Sequence, residues 1–320
     1  MPMESIWGNM NDWGKEGIPF LFIVDFEQKH PLAWTLDTLP PDVLYDFKGR
    51  SNANRAGFSS SKTFSFEKNP ISIEDYEQKF SAVQKELRMG NSYLLNLTIP
   101  TPVQTNIDLE TVFYKSRSKY AIYLKDEFVS FSPETFIKID NGFIYTYPMK
   151  GTISTEIPNA EELILADAKE AAEHATIVDL MRNDLSKVAR RVEVIKYRYY
   201  EVLKSEGKEI GQVSSEIRGQ LLPEFSASIG DLLKEMLPAG SVSGAPKPKT
   251  CQLIHEIEGF PRGYYTGVAG IFDGKALDSC VLIRYIDQKG MFKSGGGITA
   301  QSSLESEYQE MIDKVYVPVY

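Results

Sequence analysis

Two stretches of this chain carry carboxylates at helical spacing, an arrangement that can hold a hard cation or move a proton. Glu170, Glu173 and His174 fall on or beside an apolar stripe of Leu163, Ala166, Ile177 and Leu180, because positions three and four apart are helical neighbours. A buried carboxylate without a partner costs several kcal/mol. These acids therefore call for a cation or hydrogen-bond donors, unless they edge into solvent or meet a lysine. Near the C-terminus, Glu307, Glu310 and Lys314 stand at i, i+3 and i+7 on one helix face, with Leu304, Met311 and Val315 on or beside it. Two carboxylates one turn apart suit the oxygen-seeking Mg²⁺, and a solvated charged face is the alternative. Ser302, with Glu305 three residues on, reads as a capping box that starts this helix. Just ahead of it, Gly295-Gly-Gly-Ile-Thr-Ala300 could bring backbone N–H groups close to an anion, although a tight turn uses the same residues.

Other chemistries fail on spacing. Leu237-Pro-Ala-Gly-Ser-Val-Ser-Gly-Ala-Pro-Lys247 has small residues, two hydroxyls and a lysine ahead of a helix, but Gly240 and Gly244 are too close for a Walker loop and Pro248 follows the lysine. His30, His174 and His255 show no metal-binding spacing, and there is no Gly-x-Ser-x-Gly nucleophile elbow. Cys251 and Cys280 are too few for a disulfide framework and read as packing residues in a helix and a strand.

The elements that must position these groups alternate without a linker or repeat. Pro19–Phe26 is strand-like, and the first 70 or so residues read as strands and turns, with a polar loop from Arg50 to Lys62 that includes Ser59–Ser61. Ser72 precedes a helix marked by Tyr76, Phe80, Val83 and Leu87, which Gly90-Asn91 ends. Short strands follow at 121–124, 128–131, 135–139 and 143–147. Their close succession implies antiparallel pairing, and Asn141-Gly142 marks a hairpin. One long helix is expected over about 159–188. Strands return at 192–203 and 212–221. Helices near 227–236, 249–258 and 303–315 then alternate with strands near 266–272 and 277–286. Segregated strands and helices read as α+β in one large domain.

Composition narrows the function classes. The 320 residues carry 35 Lys and Arg against 44 Asp and Glu, a formal net charge of −9, which is wrong for a nucleic-acid binder. The one basic run, Lys187–Arg191 with Lys196 and Arg198, is interrupted at strand spacing and reads as a solvated strand face. No apolar run approaches a membrane span and no secretory signal is visible, so a soluble cytoplasmic protein without nucleic-acid or membrane partners is expected.

Read jointly and in order, the motifs resemble the chorismate-binding enzymes: anthranilate synthase component I, aminodeoxychorismate synthase component I, isochorismate synthase and salicylate synthase. The resemblance rests on Ser132-Pro-Glu134, Pro148-Met-Lys-Gly-Thr152, Ala172–Asp184, Leu237–Lys247, Gly263–Gly270, Ile283-Arg284, Gly295–Ala300 and the Glu307, Glu310, Lys314 set. It runs from about Glu74 to Val317, with residues 1–73 as a shortened N-terminal portion of the same domain. It implies an α+β fold of two antiparallel sheets packed as a sandwich, helices outside, and an active site between them.

The resemblance also implies roles. Glu173, Glu307 and Glu310 match the family's Mg²⁺ ligands, with the cation reconciling three carboxylates with a dianionic substrate. Arg284 and Tyr265 match the grip on the enolpyruvyl carboxylate. Lys314 and the N–H groups of Gly296 and Gly297 would assist at the carboxylates, with Thr152 and Ser241 also at the substrate. His174, Glu134 and Lys150 complete the catalytic set. Lysine at position 150 is the mark of members that make 4-amino-4-deoxychorismate, where anthranilate, isochorismate and salicylate makers carry alanine. The implied chemistry is attack by the Lys150 amine at ring C2, departure of the C4 hydroxyl protonated by Glu134, then ammonia addition at C4 with expulsion of the lysine. Met149 stands where isoleucine is more usual, a conservative change of volume. No Leu-Leu-Glu-Ser element of a tryptophan pocket and no glutaminase are visible. The expected product therefore lies on the p-aminobenzoate and folate branch, with ammonia from a separate glutamine amidotransferase subunit. Anthranilate synthase component I and a non-catalytic chorismate-binding subunit are the alternatives.

Overall fold

The computed structural model describes residues 3–58, 62–205 and 208–319. The loop expected at Ser59–Ser61 lies outside the described residues. Eight helices are present among them: α1 (Met3–Glu16), α2 (Ile73–Arg88), α3 (Leu109–Lys115), α4 (Ala160–Ala166), α5 (Ala168–Leu185), α6 (Ile229–Met236), α7 (Lys247–Glu258) and α8 (Leu304–Asp313). The strands form two antiparallel nine-stranded sheets, the α+β class expected. The chain divides into two compact units, and it passes from one to the other several times.

The first unit comprises Met1–Thr38, Glu134–Ser241 and Gly267–Val281. Its sheet runs Met149–Ser154, Lys208–Leu221, Phe143–Thr146, Thr135–Asp140, Leu277–Val281, Val268–Phe272, Phe20–Val24, Leu32–Thr35, with Ala189–Ser205 also on Lys208–Leu221. Phe20–Val24 and Val268–Phe272 are buried at every position, as a strand covered on both faces must be, which explains why their sequences are continuously apolar. The Asn141-Gly142 hairpin forms as expected, with both residues at positive φ. Apart from Lys187, which precedes it, the basic run lies on the strand Ala189–Ser205, with Arg190, Arg191 and Lys196 exposed.

Two expectations for this unit are corrected. The N-terminal stretch begins with a helix, α1, whose Ile6, Trp7 and Met10 are buried. α1 packs on α6, with the Trp7 carbonyl so close to Gly230 that a Cβ there would clash. The single helix expected over 159–188 is broken at Asp167, whose backbone leaves helical geometry while its carboxylate accepts the Glu170 N–H at 2.9 Å and so starts α5. The break also changes the buried face: Leu163 is 53% exposed, and α5 buries His174, Val178, Leu180, Met181 and Leu185.

The second unit comprises Leu39–Pro133, Val242–Thr266 and Leu282–Tyr320. Its sheet runs Gly244–Ala245, Leu94–Thr105, Met291–Ile298, Tyr285–Asp287, Phe128–Ser132, Tyr120–Leu124, Val43–Phe47, Arg50–Ser51, with Phe66–Lys68 on Leu94–Thr105. α2 starts at Ser72, whose hydroxyl accepts the Asp75 N–H, and buries the expected Tyr76, Phe80, Val83 and Leu87. The 277–286 stretch is two strands, not one. Arg284 at φ +54 breaks it, and Tyr285–Asp287 joins the second unit's sheet while Leu277–Val281 stays in the first. Likewise 128–132 and 135–140 do not pair, although they are adjacent in sequence, because the chain changes sheet at Pro133.

Candidate active site

In the first unit the chemistry gathers where the strand Met149–Ser154 meets α5. Lys150 Nζ lies 2.8 Å from Glu173 Oε2, with the two side chains 26% and 13% exposed, and Lys169 Nζ is 3.8 Å from the other oxygen. One turn earlier, Glu170 points at the same strand. A Cβ on Gly151 would sit 2.9 Å from Glu170 Oε2, and φ +91 at that position favours glycine on its own. That oxygen is buried and accepts no hydrogen bond. Burial pushes the Glu170 carboxyl up, with Lys150 opposing and Glu173 adding to the rise. Sequence reasoning set Glu170 on the helix face but left it out of the site, because only the fold brings the Lys-Gly-Thr strand against it.

His174 does not face this acidic pair. It is fully buried, its Nε2 is 2.7 Å from Ser215 Oγ, and its ring meets Tyr197 edge-on. Desolvation holds its pKa below the usual histidine value, the backbone of Lys150 opposing and Arg198 assisting. The contact joins α5, which carries both His174 and Glu173, to Ser215 of the strand Lys208–Leu221. Thr152 is exposed and lines a surface cleft with Ile153, Ser154, Glu156, Glu209 and Ile210. Glu134 and Ser241 come together, the serine hydroxyl donating to the Glu134 carboxylate at 2.5 Å. Ser241 stands in the turn after Gly240, and a Cβ on Gly240 would require the Leu180 and Asp184 side chains of α5 to shift.

In the second unit the last helix meets the glycine run. The three glycines form no turn; they lie within the strand Met291–Ile298, in register with Asn96, Leu97 and Thr98. A Cβ on Gly296 would lie 3.3 Å from Glu307 Oε2, 3.4 Å from Glu310 Oε1 and 3.6 Å from Lys314 Nζ, so the absent side chain leaves room for three charged groups. Lys314 donates to the Gly295 carbonyl at 2.8 Å and pairs with Glu310 at 2.6 Å. The capping expectation is corrected: Ser303 is the N-cap, and Ser302 donates instead to Glu307 at 2.6 Å, holding the carboxylate in place. Burial, with Glu307 and then Glu310 adding, drives the Tyr76 phenol far above its usual value.

Tyr265 and Arg284 form a second group in this unit. Tyr265 is 3% exposed, and its phenol is pushed up to about 12 by burial, with Arg262 and Arg284 opposing and Glu258 adding. The Arg284 guanidinium lies over the Tyr316 ring at 5.0 Å, and its Nε has no hydrogen-bond partner. A buried, unpartnered guanidinium N–H is a natural donor to a carboxylate.

The donors within each unit fit a hard cation, since each supplies two carboxylates a helical turn apart and Mg²⁺ commonly takes one or two protein carboxylates with the rest from substrate and water. Among the described residues, no three His, Cys, Asp or Glu side chains form a ready cage.

The family profile described as chorismate binding enzyme matches residues 28–319. The chain belongs to the chorismate-binding enzyme family. The match begins well before Glu74, so much of the N-terminal portion is part of the family domain. A Pasteurella multocida protein named as an uncharacterized PabA-like protein is 50% identical over the whole of both chains. Aminodeoxychorismate synthase component 1 of Escherichia coli is 35% identical over 76% of this chain and 56% of its own length. Anthranilate synthase component I of Streptococcus pneumoniae superposes with a TM-score of 0.67 at 29% identity, over 79% of this chain and 59% of that one. The chain thus spans little more than half of either synthase component. Among the described residues no helix is long and apolar enough to cross a membrane.

Proposed function

We propose that this member of the family aminates chorismate at C4 with ammonia, giving 4-amino-4-deoxychorismate on the way to p-aminobenzoate and folate. The observation that carries the reading is the lysine at position 150, set 2.8 Å from Glu173 on the acidic face of α5. A carboxylate partner favours the ammonium form, and a nucleophilic amine must be neutral. The attacking amine must therefore give up its proton, to solvent, before the bond at C2 can form. Lys150 then adds at ring C2 as the C4–O bond breaks, and Glu134, held by Ser241, supplies the proton that makes water of the leaving hydroxyl. Ammonia adds at C4, the C2–N bond to lysine breaks, and the free amine is restored.

Mg²⁺ would be held by Glu173, Glu307 and Glu310 and would supply charge neutralisation at the ring carboxylate. Arg284, with its unpartnered Nε, and Tyr265 would receive the enolpyruvyl carboxylate, while Lys314 and the Gly296 and Gly297 backbone border the other. Ammonia would come from a separate glutamine amidotransferase subunit. The test is incubation with chorismate, Mg²⁺ and ammonium, with the product identified by mass and absorption spectrum. Anthranilate as the product would overturn the reading in favour of an anthranilate synthase component, and unconsumed chorismate would point to a binding subunit.

A further inference from the structure

The most deeply buried charges in the second unit lie outside every group assigned above. Arg262 is 1% exposed, and its partner Glu258 has a side chain that is wholly buried. Helix α7 ends between them, at Gly259 in the left-handed region, so the pair spans a chain reversal. Arg262 donates to the Glu258 carboxylate at 2.6 and 3.0 Å, to the Val242 carbonyl at 2.7 Å, to the Asn96 carbonyl at 2.6 Å and to the Thr266 hydroxyl at 3.3 Å. Glu258 Oε1 also accepts the Thr98 N–H at 2.8 Å. Lys79 and Lys293 hold the backbone on either side, donating to the Glu258 and Arg262 carbonyls.

The points tied together are informative. Asn96 and Thr98 are the register partners of Gly297 and Gly295, and Leu97 between them pairs with Gly296. Thr266 follows Tyr265 directly and is itself at φ +60. Val242 follows the Ser241 turn. Burying a charged pair is costly, and apolar residues of the same volume often serve stability equally well. What an apolar pair cannot do is fix four separate backbone and hydroxyl groups in one geometry.

We infer that the Glu258–Arg262 pair is a positioning device that sets the glycine strand and Tyr265 in the geometry that receives the substrate's carboxylates. It rests on the reading of those residues as the carboxylate-binding wall. Arg262 acts through Asn96 and Thr266, Glu258 acts through Thr98, and neither is assigned a contact with substrate.

Two variants test this. Arg262→Lys keeps the charge and loses the fork. The double variant Glu258→Leu with Arg262→Met replaces the pair by apolar side chains. The expected result is near-native thermal stability in the double variant with KM for chorismate raised about tenfold or more and kcat changed less than KM. Amide hydrogen exchange, which needs no substrate, should speed up about tenfold at Thr98 and Gly295–Gly297 while α2 and α3 keep wild-type protection. If the double variant fails to fold, Arg262→Lys is read by the same two measurements. A folded variant with wild-type KM and unchanged exchange at the glycines overturns the proposal, as does exchange that rises equally throughout the unit, which marks a purely structural role. If the wild-type protein neither turns over nor binds chorismate, the reading of the site fails on its own, and the exchange pattern still decides the positioning role.

Discussion

Replacing Lys150 by alanine separates its two proposed tasks, counter-ion to Glu173 and nucleophile. At 2.8 Å two unit charges attract by about 6 kcal/mol at an effective dielectric of about 20. The side chains are 26% and 13% exposed, so desolvation and screening offset most of that, leaving about 1–2 kcal/mol net. Lys169 at 3.8 Å remains as a weaker partner. Glu173 released from this competitor should bind a divalent cation more tightly, by about 5- to 30-fold for that energy. The same change removes the amine, so amination at C4 should fall on the order of 10³-fold, or about 4 kcal/mol of barrier. Calorimetric titration with Mg²⁺ reads the first effect, and ammonium-driven turnover with product analysis reads the second. Residual product should shift toward the anthranilate or isochorismate type, because C2 is left open. Wild-type formation of the C4 product by Lys150→Ala would refute the nucleophile. An unchanged Mg²⁺ affinity would refute the counter-ion.

Glu310→Gln should lower activity and weaken the Mg²⁺ requirement together; full activity with an unchanged requirement would remove Glu310 from the metal site. Glutamine should not drive amination by this chain alone, and ammonium should; glutamine-dependent product from the purified chain would overturn the expectation of a separate amidotransferase. His174 is held neutral below its ordinary pKa, so the unfolded chain takes up the proton first and His174 makes stability fall as pH drops below about 6.5. Denaturant unfolding at pH 7.5 and pH 5 should therefore show a smaller loss in His174→Gln than in the wild type, and equal losses would show that His174 is not the buried titrating group.

The amphipathic spacing of α2, the Asn-Gly hairpin and the continuously apolar strands were all legible in the sequence, because each depends on neighbours within a few residues. So were the acidic pairs, since i and i+3 share a helix face wherever the helix packs. Sequence order could not show that Asp167 would break one helix into two, because its side chain's choice between solvent and the Glu170 N–H is settled by what α4 and α5 pack against. Nor could it show α1, whose short apolar face has meaning only against α6.

The chain's own order of residues determined which chemistry is available: carboxylates, one lysine in the Pro-Met-Lys-Gly-Thr motif, an arginine and a tyrosine for anions. Tertiary structure decided which of them meet. Gly151 faces Glu170 because a strand and a helix pack there, and Gly296 faces Glu307, Glu310 and Lys314 for the same reason. The glycine run became a strand instead of a turn because Asn96–Thr98 lies beside it to pair with its backbone. Ser302 was free to hold Glu307 once Ser303 took the capping position. The Glu258–Arg262 pair had no local sequence signal, because a glycine that ends the helix separates the two residues. Only burial, which strips both charges of water, makes every one of their hydrogen bonds count.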